Sequence, residues 1–319
     1  MIIHTLRPLI SLLLRNDELF GPRVAMNGAR YSPLAKNQTA GVNQIPRILH
    51  QTAATDVIPE KWQKSQQSCI NTYSDFEYKL WTDESTRTFL LEEYSWFVDI
   101  WDSYPYPIQR ADSLRYFVLY HFGGMYLDMD TWCNSTFPIE YIEPDTSVHH
   151  ALFKSTKPTG VTNDFMITSA RNPLYKSVIT QLPSYNEFSK LWAKWQPYTA
   201  IMAASGPMFL TLAVKNYLSE YSTHAQSLPS WGVINATELS PYITDLESSS
   251  WHHADAKTFM WVGDRPWTWF LGGAIALMFI LYIFNILLVK LVSCFRGASS
   301  EGAQVGWFTE YGGLVYVGN

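Results

Sequence analysis

Cysteine is scarce in this chain, three in 319 residues. That count excludes a disulfide-dense framework. Basic charge is scarce too: Lys and Arg total 23 against 28 Asp and Glu, for a net charge of -5. Without a basic stripe there is no footprint for nucleic acid, and nucleic acid is excluded as a partner. Internal repeats and low-complexity tracts are absent. The N-terminal region lacks a long apolar run, because Leu9 to Leu14 is short and flanked by Pro8 and Arg15. Such a run cannot span a bilayer.

Elsewhere it is charge that is missing. Pro266 to Val289 contains no Asp, Glu, Lys or Arg. At about 1.5 Å per helical residue it is long enough to cross a membrane. Trp267, Trp269 and Phe270 stand at its start as interfacial anchors, and Lys290 and Arg296 follow its end. By the positive-inside rule that end is cytoplasmic. The preceding domain is then expected in the lumen. Three glycosylation sequons agree: Asn37-Gln38-Thr39, Asn134-Ser135-Thr136 and Asn235-Ala236-Thr237. In an oxidising lumen Cys69 and Cys133 can pair, which the sequence leaves open. Cys294, just past the span, is either a palmitoylation site or a plain apolar residue.

Hydrophobic residues make up 47% of the chain, enough for one domain of about 220 residues with appendages. The alternation of strand and helix signals predicts an α/β fold with a mainly parallel sheet. Residues 45–50 and Tyr78 to Trp81 read as strands. Pro59 to Tyr73 reads as a helix, and Thr82-Asp83 caps another near Glu84 to Glu93. Pro105 and Pro107 mark a loop. Further on, Val148 to Phe153 and Asp164 to Thr168 are strand candidates. Pro173 to Leu182 and Gly206 to Tyr217 are helix candidates.

The richest stretch runs from Arg110 to Cys133, RADSLRYFVLYHFGGMYLDMDTWC. Asp112 and Arg115 are i,i+3 neighbours on one helix face. Gly123 and Gly124 stop that helix and allow positive φ. Met125 to Leu127 forms a short strand, and Asp128 and Asp130 emerge at its C-terminal end, where open α/β sheets bind ligands. Two carboxylates so close repel unless a cation lies between them. Oxygen ligands of this kind suit Mn²⁺ or Mg²⁺ carrying a diphosphate.

This block resembles the glycosyltransferases with a sugar-binding DxD motif. Other segments match in the same order: IPRILHQT at 45–52, Pro59 and Trp62, Leu80-Trp81-Thr82-Asp83, Asn163-Asp164-Phe165-Met166, Ser205-Gly206-Pro207-Met208 and Ser249-Ser250-Trp251-His252. The likeness covers roughly 42–262. Within the family the wording is most similar to the fungal mannosyl-inositol-phosphoceramide synthases.

The resemblance implies a GT-A-type domain over 42–262, preceded by an irregular segment, 1–41, and followed by a transmembrane helix, 266–290, and a cytoplasmic tail, 291–319. It implies a retaining, metal-dependent transfer of mannose from GDP-mannose to inositol-phosphoceramide at the Golgi membrane, beside a membrane-embedded regulatory subunit. Asp130 is then the direct metal ligand, Asp128 the sugar or ribose contact and second ligand, and His252 or its neighbour His253 the late ligand. Asp112 and Arg115 are donor-sugar contacts, and Arg115 can also meet phosphate. Asn163 and Asp164 line a sugar pocket, and Ser250 and Trp251 lie near the diphosphate. His50, Gln51 and Thr52 lie where a base or ribose would sit. Lys154, Lys157 and Arg171 are either phosphate contacts or ordinary surface cations. Family members begin with a signal anchor, which Leu9 to Leu14 is too short to be. Its reading as a weak signal core, an interfacial segment or a shortened gene product stays open. Two alternatives also stand: a hexosyltransferase acting on N-glycans or other glycans, and a non-catalytic membrane-anchored regulatory subunit.

Overall fold

The computed structural model describes residues 12, 14–20, 43–142, 148–157, 159–190, 193–221, 230–246 and 265–301. The chain separates into two compact units, Met1–Asp264 and Arg265–Asn319. After a short helix α1 (Asn16–Phe20), the first unit runs β1 (Ile48–Thr52), α2 (Glu60–Thr72), β2 (Glu77–Trp81), α3 (Asp83–Glu93), α4 (Ser95–Asp102), α5 (Pro107–Phe122), β3 (Gly124–Leu127) and β4 (Thr131–Cys133). It continues with β5 (His150–Ser155), β6 (Val161–Thr168), α6 (Pro173–Lys190), α7 (Pro197–Ala204), α8 (Pro207–Tyr221), β7 (Ser230–Ile234), α9 (Ala236–Leu239) and β8 (Ile243–Asp245).

Six strands form one sheet in the order β2-β1-β3-β6-β5-β7, and β4 pairs with β8 apart from it. β1 is parallel to both β2 and β3. β6 runs antiparallel to β3 and β5, and β7 is parallel to β5. Only β6 therefore opposes the other five, which is the mainly parallel α/β sheet expected. The chain leaves β1 for β2 on one side, while β3 lies on the other. That reversal opens a crevice at the C-terminal ends of β1 and β3, and Asp128 follows β3 there.

Alternation along the strands sends side chains to two cores. Tyr126, Phe153 and Met166 face one, against α5, α6 and α8. Leu49, Met125, Leu127, Phe165 and Ile167 face the other, with Cys69 of α2 and Tyr73 just after it. Gly123 and Gly124 have φ of 68° and 95°. A Cβ on Gly123 would lie 2.5 Å from the Ala170 nitrogen, and one on Gly124 2.6 Å from the Ile48 oxygen. Both glycines are required by space as well as by dihedral.

Several boundaries differ from the sequence expectation. Pro107 does not sit in a loop; it opens α5 at its first turn, where its missing N–H costs nothing. α6 runs through Pro183 to Lys190 and does not stop at Leu182, because Asn186 and Ser189 continue its buried face. Thr82 caps α3 as expected, exchanging hydrogen bonds with Ser85.

Cys69 and Cys133 are joined, closing α2 onto β4 across a sequence separation of 64. The same seam carries Ser68 Oγ accepting from the Cys133 amide at 3.0 Å and Thr72 Oγ1 donating to the Cys133 carbonyl at 3.2 Å. Loop-closure entropy for such a link is about 4 kcal/mol. Reduction, or a Cys69→Ser/Cys133→Ser pair, is expected to lower stability by a large part of that. Thermal unfolding with and without reductant measures it, and equal midpoints would refute it.

In the second unit, α10 spans Pro266–Glu301. Its Trp267–Ser293 stretch is long and apolar enough to cross a membrane, and none of it is buried. The helix extends past residue 290, so the segment read as tail begins helical. The segment Pro197–Glu220 is also long and apolar, but it is mostly buried and belongs to the core.

Candidate active site

Arg115 organises the site from below. Its guanidinium is 2% exposed. Nη1 donates to Asp128 Oδ1 at 2.9 Å and to the Asn163 carbonyl at 2.7 Å. Nη2 lies 2.9 Å from Asp112 Oδ1. The guanidinium carbon also lies 4.5 Å from the Tyr126 ring centroid. Burial works against its charge, but Asp128, Tyr126 and Asp112 outweigh that and hold it firmly protonated. The i,i+3 pair thus exists, but in the interior rather than on a solvated face. Arg115 spends its donors on protein acceptors and acts as a positioning residue.

Asp128 is the acceptor of this network. Its Oδ1 also takes a hydrogen bond from Tyr126 Oη at 2.9 Å, and Tyr126 Oη lies 2.9 Å from Thr52 Oγ1. The carboxylate keeps 32% exposure, so ligands reach it. Burial raises its pKa to about 6; Arg115 opposes this, while Asp130 and Asp164 add to it. Asp112 is pushed to about 7, first by burial, with Arg115 opposing and Asp128 adding. One guanidinium therefore faces two carboxylates and leaves excess negative charge beside the pocket.

Asp164 enters through register. The Asp128 amide donates to the Asp164 carbonyl at 3.1 Å, extending the β3–β6 ladder. Asp164 Oδ2 is paired with Lys154, which also lies 3.6 Å from Asp245 Oδ2. Burial pulls Lys154 down, but Asp164, Asp245 and Asp128 outweigh it and raise its pKa. Asp164 Oδ1 is buried with no hydrogen-bond partner. Lys154 is thus neither a phosphate contact nor an ordinary surface cation here.

A cavity of about 420 Å³ lies over these groups. Thr52, Arg115, Asp128 and Asp130 line it, with an aromatic wall that includes Trp62, Trp81, Trp101 and Tyr198. Its size suits a small-molecule ligand. Asp112, Asn163, Asp164 and Gln51 do not line it. The Asn163 amide donates to Asp112 Oδ1 at 3.0 Å and to Tyr116 Oη at 3.2 Å. The Gln51 amide donates to the Asp128 carbonyl at 3.3 Å, and its oxygen accepts from Tyr78 Oη at 3.0 Å. Gln51 and Asn163 support the site rather than face it. Ser250, Trp251, His252 and His253 lie outside the described residues. The described segment that precedes them in sequence stops at Leu246, whose amide donates to the Asp130 carbonyl at 3.0 Å.

His50 is not a base or ribose contact. It is fully buried, with Trp81 Nε1 donating to its Nδ1 at 3.0 Å and Nε2 facing the Gly123 carbonyl at 2.9 Å. An indole N–H can only donate, so the proton is on Nε2. His50 therefore fixes the Trp81 wall of the cavity. Burial depresses its pKa from 6.5 to about 4, with the Gly123 bond opposing and Lys79 adding. Between these values the unfolded chain binds a proton that the folded chain does not, so stability falls as pH drops. The loss through His50 is expected to reach about 2 kcal/mol between pH 7 and pH 5. Melting curves at both pH values check it; His50→Gln should flatten the slope, and an unchanged slope would refute the assignment.

Among the described residues, no group of three His, Cys, Asp or Glu side chains could hold a metal ion alone. The donor set fits a hard cation held by one or two carboxylates, Asp130 and Asp128, with a diphosphate completing the shell. Sequence reasoning missed Tyr126, although it stands two residues before Asp128 on a strand and so shares its face. It also missed Asp245, which β8 brings opposite Thr131.

The model for the glycosyltransferase sugar-binding region containing the DXD motif matches residues 59–149. An inositol phosphoceramide mannosyltransferase 2 of Schizosaccharomyces pombe is 34% identical over 254 residues, covering 78% of this chain and 70% of that one. The chain belongs to the DXD glycosyltransferase family. A mannosyl phosphorylinositol ceramide synthase of Saccharomyces cerevisiae is 38% identical over 75% of this family member, and an inositol phosphoceramide mannosyltransferase 3 of Schizosaccharomyces pombe 39% identical over 69%. The chain spans 61% and 58% of the length of these two relatives. Among solved structures, the PaToxG glycosyltransferase aligns with 69% of the chain and 79% of its own, at 15% identity and a TM-score of 0.38.

Proposed function

We propose that this chain transfers mannose from GDP-mannose to the inositol of inositol-phosphoceramide, with Mn²⁺ or Mg²⁺ at Asp130 and Asp128. The observation that carries the reading is the DXD pair lining a ligand-sized cavity in a chain whose relatives are named for mannosylating this lipid. His252 is the proposed late metal ligand, and Ser250 and Trp251 the proposed diphosphate neighbours.

When bound, the cation supplies Lewis-acid neutralisation of the departing diphosphate. Asp128, fixed by Arg115 and Tyr126, orients the donor. Asp164, paired with Lys154, supports Asp128 from β6 through its backbone carbonyl. Thr52 borders the donor side. No side chain is assigned as a covalent nucleophile, so the proposed route is a same-face displacement assisted by the leaving group, with an α-linked product. A trapped mannosyl-enzyme adduct would overturn that route.

The transferase domain, 42–262, is proposed to lie in the Golgi lumen. Residues 266–290 then cross the membrane and 291–319 reach the cytoplasm, with a membrane-embedded subunit as regulatory partner. Anchoring confines the search for a lipid acceptor to the membrane plane. Asn235 suits glycosylation: its Oδ1 caps α9 by accepting from the Glu238 amide at 2.8 Å, which leaves Nδ2 for the sugar. The deciding assay is mannose transfer to inositol-phosphoceramide in membranes expressing the chain. Product dependent on Mn²⁺ supports the reading. Donor hydrolysis without lipid product moves the acceptor to another glycan, and neither activity, with the partner subunit present, favours a non-catalytic role.

A further inference from the structure

Asp83 lies two residues past the end of β2, and Arg110 stands in the first turn of α5. Arg110 Nη2 donates to Asp83 Oδ2 at 3.1 Å. The pair lines the same cavity as Asp128 and Asp130, together with Trp81 and Trp101. Trp101 holds Arg110 in place: its indole donates to the Arg110 carbonyl at 3.2 Å, and the guanidinium carbon lies 5.4 Å from its ring centroid. Unlike the buried Arg115, the side chains remain reachable, at 44% exposure for Asp83 and 25% for Arg110.

We propose that Asp83 and Arg110 read the base of the donor nucleotide and select guanine over uracil. The inference rests on the nucleotide-sugar reading above and adds the residues that choose the nucleoside. The placement agrees with it. In a crevice opened at the strand reversal, the diphosphate belongs at Asp128 and Asp130 after β3, so the base lies toward β1 and β2. The chemistry then discriminates. Guanine presents an acceptor, O6, beside two donors, N1–H and N2–H. A carboxylate accepts from both donors at once, and an adjacent guanidinium donates to O6. Uracil presents acceptor, donor, acceptor, which sets a carbonyl oxygen against an Asp83 oxygen and leaves that carboxylate half unmatched. A buried polar edge left unmatched is what gives large discrimination. The Trp81 indole, itself fixed by His50, supplies an aromatic wall for a flat base.

Titration calorimetry of the detergent-solubilised full chain with GDP, IDP and UDP, all in Mn²⁺, tests this. IDP lacks only the 2-amino group. Wild type is expected to bind GDP about tenfold more tightly than IDP or UDP, or better. Asp83→Asn should weaken GDP about ten- to hundredfold, remove the GDP-over-IDP preference and leave UDP nearly unmoved, which also shows that fold and metal site are intact. Arg110→Gln, useful if Asp83→Asn fails to fold, should weaken GDP and IDP together because both carry O6. A GDP preference in wild type that survives both substitutions overturns the inference alone. A wild-type preference for UDP overturns it together with the GDP-mannose reading.

Discussion

Arg115→Ala is expected to cost about 3–5 kcal/mol of stability and to abolish measurable transfer. The guanidinium is the shared partner of Asp112, Asp128 and the Asn163 carbonyl. Alanine would leave Asp112, only 5% exposed, without its countercharge. A domain is stable by about 5–15 kcal/mol in all, so the loss is a large share of it. Arg115→Lys should recover a minor part, since one ammonium cannot reach carboxylates on opposite sides of a planar fork. Combining Arg115→Ala with Asp112→Asn removes the stranded charge and should restore most of the stability, whereas Asp128 stays unanchored and transfer stays low. Thermal unfolding of the full chain beside donor hydrolysis separates the two effects. An Arg115→Ala protein that melts within about 2 °C of wild type would sink the argument, because 1 kcal/mol already shifts the midpoint of a domain this size by about that much.

The same residue shows what the sequence reveals and what it hides. Asp112 and Arg115 at i,i+3, the two glycines and the paired aspartates are local patterns, and helix and strand periodicity is enough to read them. The interior position of Arg115 is not local. It depends on β6 running antiparallel to β3, which sets Asp164 against Asp128 and turns the Asn163 carbonyl toward the guanidinium. A parallel-sheet expectation for the first half of the chain says nothing about that register. Lys154 stayed ambiguous for the same reason, since Asp164 and Asp245 reach it from two separate strands. A strand read over 45–50 puts His50 at its end, open to ligand, but β1 runs from Ile48 to Thr52 with His50 at its centre. Alternation instead turns it to the face where Trp81 and Gly123 satisfy both ring nitrogens. Asp83 and Arg110 lie 27 residues apart and become one feature only when α3 and α5 pack side by side.

Asp130→Ala is expected to lower transfer by about a thousandfold or more. Loss of the proposed metal ligand would remove several kcal/mol of transition-state charge stabilisation, and each 1.4 kcal/mol is about tenfold in rate. The Asp130 carbonyl accepts from the Leu246 amide, and alanine retains that bond. Asp128→Ala makes the contrasting case. It removes the acceptor of both Arg115 and Tyr126, so it should cost stability as well as rate. The check is transfer rate against Mn²⁺ concentration with melting curves for both variants. Wild type should lose activity to a chelator and regain it with Mn²⁺, and Asp130→Ala should stay slow at every Mn²⁺ concentration. An Asp130→Ala enzyme with near-normal transfer would remove this carboxylate from the proposed metal shell.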